Sequence, residues 1–252
     1  MRFWICIIIG LSTVLCTAQD MVVTYQAYYD TNSPRTRKEV LYVKNTVSVY
    51  EELLNTTEDW KQEEKDENTL IFPADYSGIC NPYLMIDKSK KEIYFFDKIA
   101  KDVFLVQDIY SEFQWNITQE TKEVSGYTCI KATAKYRGRT WEVWFTPDIA
   151  VSSGPWKLHG LPGLILEAYD ITKKYTYVAT KIEYKKNDLF DKDFKELCQT
   201  HNKKPITYKQ FLEDKEEARL NFHQELSQKR GVAIQSAPIP RVGLELKYEW
   251  EE

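Results

Sequence analysis

The chain has 252 residues, 43% of them hydrophobic and 14% aromatic, with a formal net charge of −4 at pH 7. This is enough for one sizeable core, does not require two domains, and is unlike the composition of disordered or fibrous proteins. An acidic chain without a concentrated basic stretch is a poor partner for nucleic acid. With 17 Tyr and 7 Trp, the composition favours strands, so we expect an aromatic, β-rich core.

The first residues resemble a secretory leader. Met1 and Arg2 precede an apolar run over residues 3–15, and Cys16, Thr17 and Ala18 follow it. A short basic start, an apolar run and a small-residue cleavage site predict a signal peptide over residues 1–18 and one mature domain over 19–252. The run is shorter than the roughly 20 residues of a membrane span, so we predict no transmembrane segment after cleavage.

Export places the remaining cysteines in an oxidising compartment. After removal of the leader, the chain keeps Cys80, Cys129 and Cys198, an odd number that allows one disulfide at most. Their spacing does not select a pair and matches no metal-ligand pattern. We therefore predict neither a metal site nor any other cofactor.

Short apolar or alternating runs separated by turn residues predict an antiparallel meander. The predicted strands cover residues 21–29, 40–50, 69–72, 83–86, 92–96, 103–106, 115–121, 127–136, 140–145, 164–169 and 175–184. One amphipathic helix is predicted over 207–230, with Thr207 and Gln210 in a capping box and Gly231 at its end. The predicted fold class is mainly β with one C-terminal α-helix (α+β), a curved antiparallel sheet shaped like a half-open barrel or bowl.

Enzyme motifs are absent from the sequence. His159, His201 and His223 lie far apart, and there is no H-E-x-x-H, C-x-x-C, G-x-S-x-G or phosphate-binding glycine loop. No catalytic residue is predicted, which weighs against an enzyme. Acidic pairs cannot be assessed from sequence spacing, so a hydrolase with an unrecognised site stays open.

One segment carries a family resemblance. Residues 160–165 read G-L-P-G-L-I, preceded by Trp144-Phe145-Thr146-Pro147 and by Tyr136-Arg137-Gly138-Arg139. By these motifs the chain is identified as a member of the GLPGLI family of secreted Bacteroidetes proteins, most clearly over residues 126–170. Ala150 stands where the family pattern usually has proline. The resemblance implies a signal-bearing, mostly antiparallel β protein of the cell envelope, without established catalytic residues to carry over.

The same segment supplies the candidate site. Gly154, Gly160 and Gly163 permit backbone paths closed to other residues, while Pro155 and Pro162 stiffen neighbouring positions. These five residues predict a rigid structural loop.

Two interpretations of this loop remain open. In the first, its apolar residues cap the open end of the sheet and serve folding alone. In the second, the loop borders a concave ligand pocket edged by two tryptophans, with two arginines and a histidine as polar handles. The candidate ligand-binding residues are then Trp144, Trp156, Leu161, Arg137, Arg139 and His159. The arginines can equally be solvated charges of a hairpin.

Three function classes follow, in order of preference. The first is an exported, non-catalytic binding or carrier domain for an apolar or polymeric ligand, such as a lipid or glycan. The second is an accessory subunit of an envelope protein complex, and the third is the hydrolase. A carrier predicts a deep apolar cavity, an accessory subunit a filled core, and a hydrolase a cleft with converging acids. We expect a monomer in the periplasm, at the outer membrane or outside the cell.

Overall fold

The structure, a computed structural model, describes residues 20–32, 34–53, 83–191, 194, 204–230, 241 and 243–251. The predicted signal peptide and the predicted strand at 69–72 lie outside these ranges, as do Cys80, Cys198, His201 and Gly231. The described part of the chain forms a single twelve-stranded sheet and one α-helix, α1 (Tyr208–Arg230). The strands are β1 (Met21–Tyr29), β2 (Arg35–Lys44), β3 (Val47–Leu53), β4 (Tyr83–Asp87), β5 (Glu92–Ile99), β6 (Asp102–Asp108), β7 (Asn116–Val124), β8 (Tyr127–Tyr136), β9 (Arg139–Thr146), β10 (Leu164–Asp170), β11 (Tyr175–Tyr184) and β12 (Ile206–Thr207).

The sheet is open and curved. Its order is β12-β6-β5-β4-β3-β2-β1-β11-β10-β9-β8-β7, so β12 and β7 are free edges. Every pair is antiparallel except β12 with β6. Asp108 at the end of β6 nevertheless forms an ion pair with Arg137, which directly follows β8 at the other end of the order. The sheet must therefore bend until its two ends approach, and the predicted fold class is confirmed.

Alternation along the strands directs the aromatic residues into the concave side. On β9, Trp141, Val143 and Phe145 point inward and are fully buried. Tyr25 of β1 and Tyr177 of β11 fill the space opposite, and the Tyr25 hydroxyl donates to the Ile165 carbonyl at 2.6 Å. The interior of the sheet is thus occupied by its own side chains.

Two predicted elements differ in detail. The run predicted as one strand over 40–50 is a hairpin of β2 and β3, because Asn45 turns the chain in the left-handed region at φ 54°. The helix begins as predicted, with the Gln210 amide donating to the Thr207 hydroxyl at 3.2 Å. Its apolar face is used less than the pattern indicates. Only Phe211 is buried in the described part of α1, whereas Leu220 and Phe222 are 42% and 38% exposed.

Candidate functional site

The loop between β9 and β10, residues 147–163, folds onto the concave side of the sheet. Leu158 and Leu161 are each 1% exposed, so Leu161 lies in the core. Ser153 and His159 form an isolated bridge that closes the loop on itself. A Cβ on Gly163 would lie 2.1 Å from the Thr146 carbonyl oxygen, which explains why glycine is required at this point. This packing agrees with the interpretation of the loop as a cap.

The two candidate tryptophans lie on opposite faces of the sheet. Trp156 packs in the loop against Trp141, with ring centroids 5.6 Å apart. Trp144 alternates with Trp141 and Val143 and therefore lies on the other face of β9, where it is 8% exposed and the Lys122 ammonium lies 4.4 Å from its ring centroid. No ring contact joins Trp144 to Trp156 among the described residues, and a ligand pocket edged by both stays a prediction.

Arg137 is neither a solvated hairpin charge nor a free polar handle. Its side chain is 1% exposed, and its guanidinium donates to both carboxylate oxygens of Asp108 at 2.7 and 2.8 Å. It also contacts Glu245 at 2.5 Å and Glu249 at 3.0 Å. Burial acts against the charged form, but these carboxylates raise the pKa of Arg137 above its ordinary value.

Lys157 completes a buried ion cluster with Arg137. Its ammonium donates to Asp108 at 2.6 Å and to Glu245 at 2.7 Å, and its side chain is 4% exposed. Burial opposes ionisation of Asp108, but Lys157 and Arg137 hold the pKa of that carboxyl below its usual range. We call Arg137, Lys157, Asp108 and Glu245 the ion cluster. No local sequence pattern marks Asp108, Lys157 or Glu245 as members of such a cluster.

The ion cluster fastens the C-terminal segment to the sheet. Besides the side-chain contacts of Glu245, the Leu246 amide donates to the Arg137 carbonyl at 2.8 Å. Arg139, also buried, pairs with Asp170 at 3.0 Å and donates to the Gly243 carbonyl. Both arginines therefore bind other parts of the same chain.

A different set of polar groups meets at the opposite side of the loop. His159 is 3% exposed, and its ring meets Phe113 edge-on and lies tilted against Tyr110. Its Nδ1 lies 2.8 Å from the Lys157 carbonyl, and its buried Nε2 has no partner among the described residues. Burial lowers the pKa of His159, which favours the neutral ring. The Lys88 ammonium, from the turn after β4, donates to the Ser152 carbonyl at 3.1 Å and the Ser153 hydroxyl at 2.8 Å.

The concave side also holds the buried carboxyl of Glu39. This residue of β2 is 1% exposed and accepts hydrogen bonds from the hydroxyls of Tyr29 and Tyr50. Burial raises the pKa of Glu39, although both hydrogen bonds act in the other direction. Its hydrogen-bond partners among the described residues are therefore tyrosines, and not a second acid or a histidine.

The remaining features of interest are a cavity, potential metal ligands and a cysteine. A cavity of about 270 Å³ lies outside the concave core, where Val49 and Met85 meet Phe190 and Phe194. Within the described ranges, no three His, Cys, Asp or Glu residues are grouped as a metal site, and no helix is long and apolar enough to cross a membrane. Cys129 is a free, buried thiol whose pKa is raised to about 11, chiefly by burial.

The fold and the site define an open β-sheet domain with a filled core and a capped end, in which Arg137, Arg139 and Lys157 pair with carboxylates of the same chain. The family model described as "N-glycanase peptide, N-terminal domain" matches residues 78–210, which is just over half of the chain. The chain therefore belongs to this family.

Solved structures of PNGF-II share the fold. One, in space group P21, superposes with a TM-score of 0.56 at 19% identity, covering 80% of this chain and 34% of that chain. Another, in space group C2, gives a TM-score of 0.50 at 20% identity, covering 75% and 31%. The chain thus spans about a third of the length of the structures it matches. No curated protein matches it in sequence.

Proposed function

We propose that this chain is a non-catalytic glycan-binding domain that assists chemistry carried out elsewhere. The observation that carries the proposal is membership of a family whose description places it at the N-terminus of an N-glycanase. An N-glycanase acts on glycans attached to proteins, and a domain beside it has an evident use in holding the same class of ligand. We propose no N-glycanase activity for this chain.

The packing supports binding of a polymer over carriage of a lipid. A carrier encloses its ligand, whereas Trp141, Tyr25 and Tyr177 are each fully buried and fill the concave side. Glycans bind on exposed surfaces and shallow sites, which a filled core does not prevent. The carboxylates that converge on Arg137, Asp108 and Glu245, are held in ion pairs with Arg137 and Lys157, which supports a structural role for them over a catalytic one.

We also propose, from the leader and from the GLPGLI resemblance, that the domain acts after export. N-terminal sequencing of the protein recovered from its host tests this part. A mature chain beginning at Gln19 or Asp20 supports it, and an intact Met1 contradicts it.

Isothermal titration calorimetry of residues 19–252 tests glycan binding directly. The titrants are an N-glycopeptide and the same peptide after its glycan has been removed, and mass spectrometry checks the recovered glycopeptide. We expect saturable binding to the glycopeptide alone and no release of glycan. Equal binding of both peptides would favour an accessory role by protein contact. Binding of neither, or release of glycan by the chain, would overturn the proposal.

A further inference from the structure

Lys88, in the turn after β4, bonds both to the turn between β2 and β3 and to the β9–β10 loop. Its backbone amide donates to the Thr46 carbonyl at 3.0 Å, which ties the turn after β4 to the turn between β2 and β3. Its side chain crosses to the loop, where the ammonium donates to the Ser152 carbonyl and the Ser153 hydroxyl. The Ser152 hydroxyl in turn accepts from the Gly160 amide at 3.1 Å, so the receiving segment is itself held in place.

The charge of Lys88 is not balanced by its neighbours. Both of its acceptors are neutral oxygens, and within the described ranges no carboxylate lies in ion-pair distance of its ammonium. Lys157, the other lysine that reaches this loop, is matched by two carboxylates. In the turn of Lys88, the carboxylate of Asp87 binds Ser89 and Lys90, and Lys91 pairs with Glu112 at 2.7 Å.

An uncompensated, partly buried ammonium favours an anionic ligand. Burial lowers the pKa of Lys88 to about 8, which reflects the cost of holding this charge without a counter-ion. An arriving anion would remove that cost. Two of the three N–H donors of the ammonium are engaged, so one donor remains for the ligand. One donor on a compact charge suits a single oxygen of a carboxylate rather than a bidentate contact.

We propose that Lys88, positioned by Ser152 and Ser153, binds the carboxylate of an acidic sugar. The inference rests on the proposed glycan-binding function and gives it a ligand class, namely glycans that carry a sialic or uronic acid. The site lies where the turn after β4 meets the loop, and it shares no residue with the ion cluster.

Titration with matched glycopeptides tests the inference. The ligands are an N-glycopeptide ending in sialic acid and the same glycopeptide after sialidase treatment. The wild type should bind the acidic form about tenfold or more tightly, the range expected of a charge-assisted hydrogen bond. Lys88→Met should abolish this preference and leave affinity for the neutral form unchanged, while Lys88→Arg should retain part of it. Lys91→Met, in the same turn, is the matched control and should behave as the wild type.

The outcomes separate this inference from the proposed function. If both glycopeptides bind equally and Lys88→Met changes nothing, the acidic-sugar site is wrong while glycan binding stands. If neither binds, the proposed function fails first. Thermal unfolding confirms that Lys88→Met is folded. ¹³C NMR of the lysine ε-carbons gives a second readout, since the pKa of Lys88, about 8 in the free chain, should rise when the acidic glycopeptide is added and stay unchanged with the neutral one.

Discussion

Replacing Lys157 with methionine tests whether the ion cluster stabilises the fold. Methionine keeps most of the buried stem and deletes the charge that separates Asp108 from Glu245. In the wild type, oxygens of both carboxylates lie within 2.7 Å of the same nitrogen. In Lys157→Met they face each other with only Arg137 still shared between them.

The magnitude follows from burial. Removing one partner of a buried ion pair costs about 3–5 kcal/mol, since it leaves an uncompensated charge. Because Arg137 still donates to both carboxylates, the free energy of unfolding should fall by about 3 kcal/mol at pH 7. Two close carboxylates cannot both ionise easily, so the pKa of one should rise. For each unit by which that pKa exceeds its value in the unfolded chain, the variant should regain about 1.4 kcal/mol of stability as the pH falls.

Urea denaturation followed by circular dichroism at pH 7 and pH 5 measures both effects. The variant should lose stability at pH 7 and recover part of it at pH 5. In the wild type, the contribution of Asp108 to stability should not change between pH 7 and pH 5. The pKa of Asp108 is lowered, so this contribution is lost only in more acidic solution. The control is Lys131→Met, which deletes a lysine lying 3.3 Å from both Glu120 and Glu142 at a site 20% exposed. We expect a much smaller loss of stability there, because solvent screens an exposed ion pair. If Lys157→Met costs no more than the control, or shows no recovery at pH 5, the reasoning is refuted.

Three further predictions concern the core. Glu39→Gln should gain stability relative to the wild type at pH 7 and lose that advantage as the pH falls, since the raised pKa lets the folded wild type take up a proton; urea midpoints at pH 7 and 5 that differ by a constant amount would contradict this. Gly163→Ala should cost more than about 3 kcal/mol through its clash with the Thr146 carbonyl, whereas Gly126→Ala, at φ +82° in open space, should cost about 1 kcal/mol; similar losses in chemical denaturation would show that the loop yields. Tyr25→Phe should lower the free energy of unfolding by about 1–2 kcal/mol, because it removes the hydroxyl that reaches across the core; an unchanged midpoint would mean that this bond adds no net stability.

The fold class could be predicted because each strand carries its own local signal. Alternating side chains and turn residues identify β1, β8, β9 and β11 nearly to the residue. The prediction fails where the signal is a matter of tertiary packing. Strands β2 and β3 read as one alternating run because the turn at Asn45 contains neither glycine nor proline. The apolar spacing of α1 is genuine, yet Phe211 is the only buried residue in its described part, and Leu220 and Phe222 are exposed.

The candidate site shows the same division between local and distant information. Glycine and proline positions predict a preset loop, and at one of them, Gly163, the backbone lies too close to β9 for a Cβ. Arg137 and Arg139 read as solvated hairpin charges or ligand handles because nothing near them in sequence neutralises them. Their partners are Asp108, Asp170 and Glu245, brought together only by the bend of the sheet and the return of the C-terminal segment.

Charge balance in three dimensions therefore separates lysines that the sequence presents as equivalent. Lys157 belongs to the β9–β10 loop, and Lys88 contacts the same loop from the turn after β4. Lys157 is neutralised by two carboxylates and holds the fold together, so its removal should register as lost stability. Among the described residues, the Lys88 ammonium bonds only to neutral oxygens, so its removal deletes a charge that none of them pairs at a partly buried position. Lys88→Met should consequently leave the urea midpoint unchanged or raised, and should register only in the binding of an anionic ligand. A loss of stability in Lys88→Met as large as in Lys157→Met would mean that the Lys88 ammonium serves the fold and not a ligand.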